Sequence, residues 1–309
     1  MSATLVLNGL DGSNPLAFLA ALGTLKSVSL LWPEQRAFLA WKIQDGAWRP
    51  MLKIAEPRTN EMICAALATR LQAFENHRAL AVGDDLTIDA EIYGEYARQA
   101  ASEAEKDRTW ADFAGAFGCE ALTRKDSNEI LDTAFRTMAG AGHQHFLKSM
   151  RNICRETNAI HFEKALFSAW RYDDPLTNLS LRWDPRDDQR YALRWDDPSG
   201  DSTRAYSGSM LGANRLAIEA LPFFPVAPDG RRLRTTGFAE GQGYGTWFVW
   251  PIWETFIDVE VCRSLVAHEA LSKSPPDRTR LAARGVVEIF RSRRLTIGKI
   301  RSFTPAQPA

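Results

Sequence analysis

The feature that most constrains the fold is a short duplication in mid-chain, where the string LRWDP at 181–185 returns as LRWDDP at 193–198. In each copy, large apolar residues alternate with polar ones, as they do in a strand with one buried face. The prolines and aspartates that follow favour turns, because proline fixes its own backbone angle and aspartate can bond the amides of a turn. The duplication therefore predicts two short strands, each ending in a turn.

The patterns on either side of this duplication differ. Up to about residue 172, most segments space their apolar residues as helices do, whereas short alternating runs and turn residues dominate from Asp173 onward. We predict an α+β fold, with a helical N-terminal half that contains a hairpin and a mixed antiparallel sheet in the C-terminal half. Residues 1–172 are expected to form the mostly helical region with an N-terminal strand. Residues 173–309 are expected to form the β-rich region with a basic C-terminal hairpin.

Three local signals place elements in the N-terminal half. Asn14 can cap a helix that has Pro15 in its first position. The pair Asp45-Gly46 predicts a hairpin between residues 37–43 and 48–54. Thr59 predicts the start of a helix that reaches about residue 74. The apolar side of that helix is expected to hold Met62, Ile63, Ala66, Leu67 and Leu71.

The overall composition excludes some classes of protein. The formal net charge is zero, with 38 basic and 38 acidic residues, which argues against a polycation that coats nucleic acid but permits a local basic site. The longest apolar run, 15–32, is interrupted by Lys26 and lacks a signal-peptide pattern, so it predicts a core helix. The four cysteines show no CxxC spacing, which indicates small buried residues in a reducing cytoplasm. We predict a cytoplasmic protein with no membrane contact and no cofactor.

The clearest charge asymmetry lies near the C-terminus, where 263–301 holds ten basic residues against three acidic ones. A helix is predicted from about 258 to 271. Residues 286–290 and 295–300 are then predicted as two strands around a basic tip at 291–294, although a helix is possible for the first. A basic hairpin can contact phosphates, whereas the alternative is a solvated edge whose charges prevent strand pairing. The candidate phosphate contacts are Arg291, Arg293, Arg294, Lys299 and Arg301.

A second candidate site follows the glycine-containing string at 140–142, where a helix is predicted over 143–156. The H-x-H pair could bind a metal, although no Cys, Asp or Glu nearby completes a ligand set. Alternatively, the loop and the first helix amides could hold a phosphate. The third interpretation is a turn into a surface helix whose polar residues are merely solvated. The residues concerned are His143, Gln144, His145, Lys148 and Arg151.

Aspartates crowd the duplicated segment and invite an enzymatic interpretation. A two-metal nuclease site needs carboxylates that project from fixed elements onto one point. Here each aspartate stands beside a turn former and arginines lie between them, so turn formation and local ion pairing explain the pattern better. We also find no P-loop, zincin, nucleophile-elbow or dinucleotide motif, so we predict a protein that is not an enzyme. The aspartates are Asp184, Asp187, Asp188, Asp196, Asp197 and Asp201.

Four strings carry a resemblance to a known family. They are LDGSNPLAFLAALG at 10–23, GAGHQHFLK at 140–148, the RWDP and RWDDPSGD pair, and GANRLAIEALP at 212–222. In this pattern the chain resembles the CRISPR-associated large-subunit family of subtype I-U, now I-G. None of the four strings is a catalytic signature.

The resemblance implies a non-catalytic large subunit of an RNA-guided surveillance complex in antiviral defence. Its partners would be a guide RNA, target DNA, other CRISPR effector subunits and a separate helicase-nuclease. In such a complex the large subunit contacts the duplex that flanks the target, while base pairing with the guide supplies sequence specificity. Tryptophans and prolines after residue 170 would then anchor the partners. The alternatives are a metal-dependent nuclease or phosphodiesterase that uses the aspartates with His143 and His145, and an interaction scaffold without nucleic-acid contact.

Overall fold

The computed structural model describes residues 3–138, 145–175, 179–188, 208–240, 246–297 and 300–309. The fold is α+β, as predicted. Most of the longer helices lie in the N-terminal region, and the largest antiparallel sheet lies at the C-terminus. No helix within these ranges is long and apolar enough to span a membrane.

The first sheet is three-stranded, in the order β1-β3-β2, with β1 at Ala3–Val6, β2 at Phe38–Gln44 and β3 at Ala47–Ile54. The predicted hairpin is confirmed. Asp45 and Gly46 both adopt positive φ angles, 53° and 74°. This is the backbone that a tight two-residue hairpin turn requires and that the Asp-Gly pair tolerates.

Helix α1 spans Pro15–Leu31 and begins as predicted. The side-chain oxygen of Asn14 accepts hydrogen bonds from the amides of Leu16, at 2.8 Å, and Ala17, at 3.2 Å. The helix is buried along nearly its whole length, which explains why its sequence is apolar on every side.

Helix α2 spans Asn60–Gln72, with Thr59 as its cap, so this start is also confirmed. The predicted apolar side was wrong at one position, because Met62 is 49% exposed. Ile63, Cys64 and Leu67 face the core instead, and they turn the buried stripe away from Met62.

Among the described residues, the rest of the N-terminal region contains four α-helices and a small hairpin. The helix predicted over 143–156 begins at Phe146. The elements are α3 (Ala90–Ser102), α4 (Arg108–Phe117), β4 (Gly118–Thr123), β5 (Ile130–Asp132), α5 (Phe146–Glu156) and α6 (Ala159–Phe167).

The first copy of the duplicated string is not a strand, so that prediction was wrong. Leu181 and Trp183 are buried, but their backbone pairs with no neighbouring strand among the described residues. The Leu181 amide instead donates to the side chain of Asn214, and its carbonyl accepts from the Thr137 hydroxyl at 2.6 Å. The Trp183 indole donates to the Phe135 carbonyl. Residues 193–198, the second copy, lie outside the described residues.

After the duplication come a buried helix, α7, and a five-stranded sheet. The sheet has the order β11 (Ile300–Phe303), β10 (Val286–Ile297), β9 (Thr246–Trp253) and β8 (Phe238–Glu240), and β12 (Gln307–Pro308) also lies beside β10. The predicted helix over 258–271 is two helices, because the first ends at Val266 and His268 caps the second through the Ala270 amide. The elements are α7 (Leu211–Ala220), β6 (Val226–Asp229), β7 (Arg232–Thr235), β8 (Phe238–Glu240), β9 (Thr246–Trp253), α8 (Val259–Val266), α9 (Glu269–Ser272), α10 (Arg278–Ala282), β10 (Val286–Ile297), β11 (Ile300–Phe303) and β12 (Gln307–Pro308).

The predicted basic tip was wrong. Residues 291–294 lie inside β10. This strand pairs with β9 without interruption from Glu288 to Arg294, and Arg294 lies opposite Thr246. On its other side β10 pairs with β11 and β12. β10 is therefore an interior strand, and its charges do not protect a free sheet edge.

A cluster of aromatic side chains joins the two regions. Phe18 of α1 lies 5.8 Å from the ring of Trp41 and 5.8 Å from that of Trp250. The indole N–H of Trp250 donates to the Gly12 carbonyl, and that of Trp253 donates to Leu39. These buried tryptophans serve the core, so they do not act as the partner anchors that the resemblance implied.

Three buried charges lie between α1 and α7. Glu219 accepts a hydrogen bond from Lys26 at 3.0 Å and another from Arg215 at 3.0 Å. Burial by itself would raise the pKa of Glu219, but the two cations outweigh it and hold the pKa at about 2. The carboxylate thus compensates two buried positive charges at once.

We expect Glu219→Gln to lower the free energy of unfolding by about 3–5 kcal/mol at neutral pH, since two buried cations lose their counter-charge. Because the folded-state pKa is depressed, this stabilisation is present above the usual glutamate range and is lost as pH falls toward 2. Urea unfolding measures both effects. Glu260→Gln is the control, since that side chain is 75% exposed. A Glu219→Gln variant as stable as the control would contradict this assignment.

Candidate nucleic-acid interface

A cleft of about 650 Å³ opens at one end of the C-terminal sheet. One wall is formed by the ends of β8 to β11, and the others by the β4–β5 and β6–β7 hairpins. Its lining contains six arginines and three carboxylates, an excess of three positive charges in a chain whose net charge is zero. The charged residues are Arg124, Asp132, Asp229, Arg231, Arg232, Arg234, Glu240, Arg294 and Arg301.

The strand register explains how the sheet presents its arginines. Glu240, Thr246 and Arg294 lie directly opposite one another on adjacent strands, so they share one face. Arg301 opposes Thr296, two residues beyond Arg294, and therefore lies on that face too. The same face carries Phe248 into the core. The polar row of Glu240, Thr246 and Arg294 thus continues the buried face of the sheet beyond the end of the hydrophobic core.

A buried arginine, Arg136, supports two of the residues that line the cleft. Its guanidinium donates to Asp85 at 2.7 Å, Asp132 at 2.5 Å and Thr87 at 2.7 Å. These bonds fix the Arg136 backbone. Its carbonyl then accepts from Arg294 at 2.8 Å and from Arg301 at 3.4 Å, which orients both guanidinium groups side by side.

Arg294 and Arg301 are poorly compensated cations. Burial lowers the pKa of Arg294 to about 10, with a further contribution from Arg301 that Asp132 only partly offsets. Burial is also the main cause that lowers the pKa of Arg301. Neither forms an ion pair with a carboxylate among the described residues, and the Arg294 Nε is buried there without an acceptor. An anion between the two groups would relieve this electrostatic cost.

The other cleft arginines differ in how far they are neutralised. Arg124 pairs with Asp132 at 2.7 Å, and Arg232 pairs with Glu240 at 2.6 Å. Arg234 lies 3.7 Å from Asp229. Arg231 is exposed at the rim. The net positive charge is therefore concentrated at the inner end, around Arg294 and Arg301.

The structure separates the predicted C-terminal residues. It brings Arg294 and Arg301 together, but Arg291 and Arg293 point to the opposite face of β10. Lys299 lies outside the described residues. Sequence analysis missed Arg124, Arg231, Arg232 and Arg234, although the basic string RRLR beside Gly230 was a signal for a charged hairpin.

The second predicted group is only partly described, since His143 and Gln144 lie outside the described residues. His145 precedes α5, and the Lys148 side chain is exposed. Arg151 has another task, because its guanidinium donates to the carbonyls of Leu80, at 2.6 Å, and Gly83, at 2.8 Å. It also pairs with the neighbouring carboxylate, Asp84.

The amides of Phe146 and Lys148, in the first turn of α5, also have acceptors already. The Phe146 amide donates to the side chain of Asp85 at 3.3 Å. The Lys148 amide donates to the backbone carbonyl of Asp84 at 2.9 Å. A phosphate at this helix end would have to displace these bonds, so the Arg294–Arg301 cleft is the better candidate.

Asp184, the only aspartate of the crowded segment whose side chain is described, is buried and forms a turn. It accepts from the Arg186 amide, the Tyr172 hydroxyl and the Asn14 side chain, at 2.9, 3.0 and 3.3 Å. Burial raises the pKa of this carboxyl. The turn-forming interpretation is confirmed at Asp184. Within the described ranges, no three His, Cys, Asp or Glu side chains are grouped to hold a metal ion.

Comparison with known proteins adds no family. No protein-family model matches the chain. No curated protein matches it either.

We expect Arg151→Ala to lower the free energy of unfolding by about 1–3 kcal/mol, because the carbonyls of Leu80 and Gly83 lose a charged donor. Affinity for a DNA duplex should not change. Lys148→Ala, one helical turn earlier and exposed, should leave both quantities near wild type. Urea unfolding measures the free energy of unfolding, and fluorescence anisotropy measures the affinity for the DNA duplex. A stable Arg151→Ala variant with weakened DNA binding would instead support Arg151 as a phosphate contact.

Proposed function

We propose that this chain is the non-catalytic large subunit of an RNA-guided CRISPR surveillance complex, and that its arginine cleft contacts the double-stranded DNA flanking the target. The observation that carries the proposal is the Arg294–Arg301 pair. Two adjacent guanidinium groups share one backbone acceptor and have no carboxylate partner among the described residues.

Phosphate is the ligand that best suits this arrangement. Guanidinium groups form short, charge-assisted bonds with phosphate oxygens, and these contacts supply much of the affinity of proteins for DNA. The cleft opens at the end of the sheet, so a backbone phosphate can reach the pair without a change of fold. The surrounding arginines of the β6–β7 hairpin would extend the contact along the same DNA strand.

The charge distribution supports a local contact. In a chain with zero net charge, an excess of three positive charges in one cleft attracts a polyanion to that cleft locally. A subunit of a guided complex needs no more, because pairing with the guide RNA reads the sequence. We propose that the remaining surface meets the other effector subunits, and that the assembled complex recruits a separate helicase-nuclease.

The test is the salt dependence of duplex binding by the Arg294→Gln, Arg301→Gln double variant. We expect affinity for a duplex of about 20 base pairs to fall by about tenfold or more. The slope of log affinity against log salt should become shallower by about two units, since each lost phosphate contact removes about 0.9. Glutamine keeps an N–H donor for the Arg136 carbonyl, so the fold should persist.

The matched control is Arg278→Gln with Arg280→Gln, which removes the same charge from exposed pairs with Glu288 and Glu269. Equal weakening in both double variants would mean that only total charge matters, and the cleft would lose its role. A loss restricted to one flanking sequence would indicate groove recognition of bases instead of phosphate contact.

A further inference from the structure

The opposite face of β9 and β10, which we call the outer face, carries a second cationic surface. It comprises Trp247, Arg291 and Arg293, whose side chains alternate with core residues of the same strands such as Phe248 and Trp250. The Arg291 guanidinium lies over the Trp247 ring, 4.8 Å from its centroid. Arg293 lies directly opposite Trp247 and is exposed.

The outer face contains two arginines and no compensating acid at its paired positions. Trp247 lies opposite Ala239 on β8, and Arg291 lies opposite Val249 on β9. Neither Arg291 nor Arg293 has an ion pair in the described part of the chain, and the Arg291 Nε is buried there without an acceptor. Since β10 is paired on both sides, edge protection does not explain these charges.

We propose that the outer face binds unpaired nucleotides, with a base stacked on the Trp247–Arg291 pair and the adjoining phosphate held by Arg293. Aromatic rings and guanidinium planes stack on bases of any sequence, and positive charge beside them follows the backbone. Such a surface differs in position and in ligand from the cleft, which contacts duplex phosphates. The proposal therefore does not depend on the function of the cleft.

The alternative occupant is an acidic peptide. It would use the two charges but would gain little from an indole that is already paired with a guanidinium. Unpaired nucleic acid uses both the flat stacked surface and the charge, and for that reason it is the ligand we infer.

The test measures binding of a fluorescent oligothymidylate of about 15 nucleotides by the full chain and its Trp247→Leu variant. We expect affinity to fall by about 5- to 150-fold, the change that corresponds to losing one stacked base. Trp247→Phe should retain most of the affinity, because a smaller ring still stacks. An abasic oligonucleotide of the same length should bind wild type weakly and should not distinguish it from Trp247→Leu.

The matched control is Trp32→Leu, because Trp32 is likewise partly buried and lies 4.1 Å from a stacked arginine, Arg58, which pairs with Glu56. It should bind the oligothymidylate as wild type does. The cleft variant with Arg294→Gln and Arg301→Gln should also bind it with most of its affinity, which keeps the two sites distinguishable.

Unchanged oligothymidylate binding by Trp247→Leu would overturn the proposal, and so would an equal loss in Trp32→Leu. A polyglutamate peptide that binds wild type more tightly than the oligothymidylate, and that loses affinity in Trp247→Leu, would assign the outer face to an acidic protein partner instead.

Discussion

The close contact between α1 and α7 supports the rest of the structure. A side chain at Gly23 would place its Cβ 1.7 Å from the Leu216 carbonyl oxygen, so only glycine lets the two helices approach this closely. The buried charges of Lys26 in α1 and of Arg215 and Glu219 in α7 then join the same two helices. From α7, Asn214 binds the backbone of Leu181, and that segment in turn binds the backbone and side chains of 135–137. The position of the Arg136 carbonyl, and with it the cleft, therefore depends on this helix contact.

The largest sheet separates two cationic surfaces by the alternation of its side chains. On one face, the polar row with Arg294 continues the buried surface past the core and meets the basic β6–β7 hairpin. On the other, Arg291 and Arg293 accompany a partly buried indole. Burial lowers the pKa values of Arg294 and Arg301, so the inner arginines carry an electrostatic cost that an anion would relieve. We propose that the inner pair holds a phosphate, whereas the outer pair offers a flat surface to a base.

Local signals were enough to predict the helix starts at Asn14 and Thr59 and the hairpin at Asp45-Gly46, because capping and turn geometry depend on a few adjacent residues. The duplicated string misled because its alternation resembles a strand, whereas its backbone bonds reach Asn214 and Thr137, 33 and 44 residues from Leu181. Charged residues at 291–294 suggested a turn, but pairing on both sides holds them in a strand. The cleft could be predicted only in part, since one sheet and two hairpins that are distant in sequence form its walls.

The proposed function requires a DNA phosphate to lie between Arg294 and Arg301. Arginine side-chain NMR of the full chain observes these groups directly, with each Nε–H signal assigned through a lysine variant. Addition of a short DNA duplex should shift the Arg294 and Arg301 signals and slow their exchange with solvent, while the signals of Arg278 and Arg280 stay in place. Duplex binding that leaves the Arg294 and Arg301 signals unmoved would contradict the account.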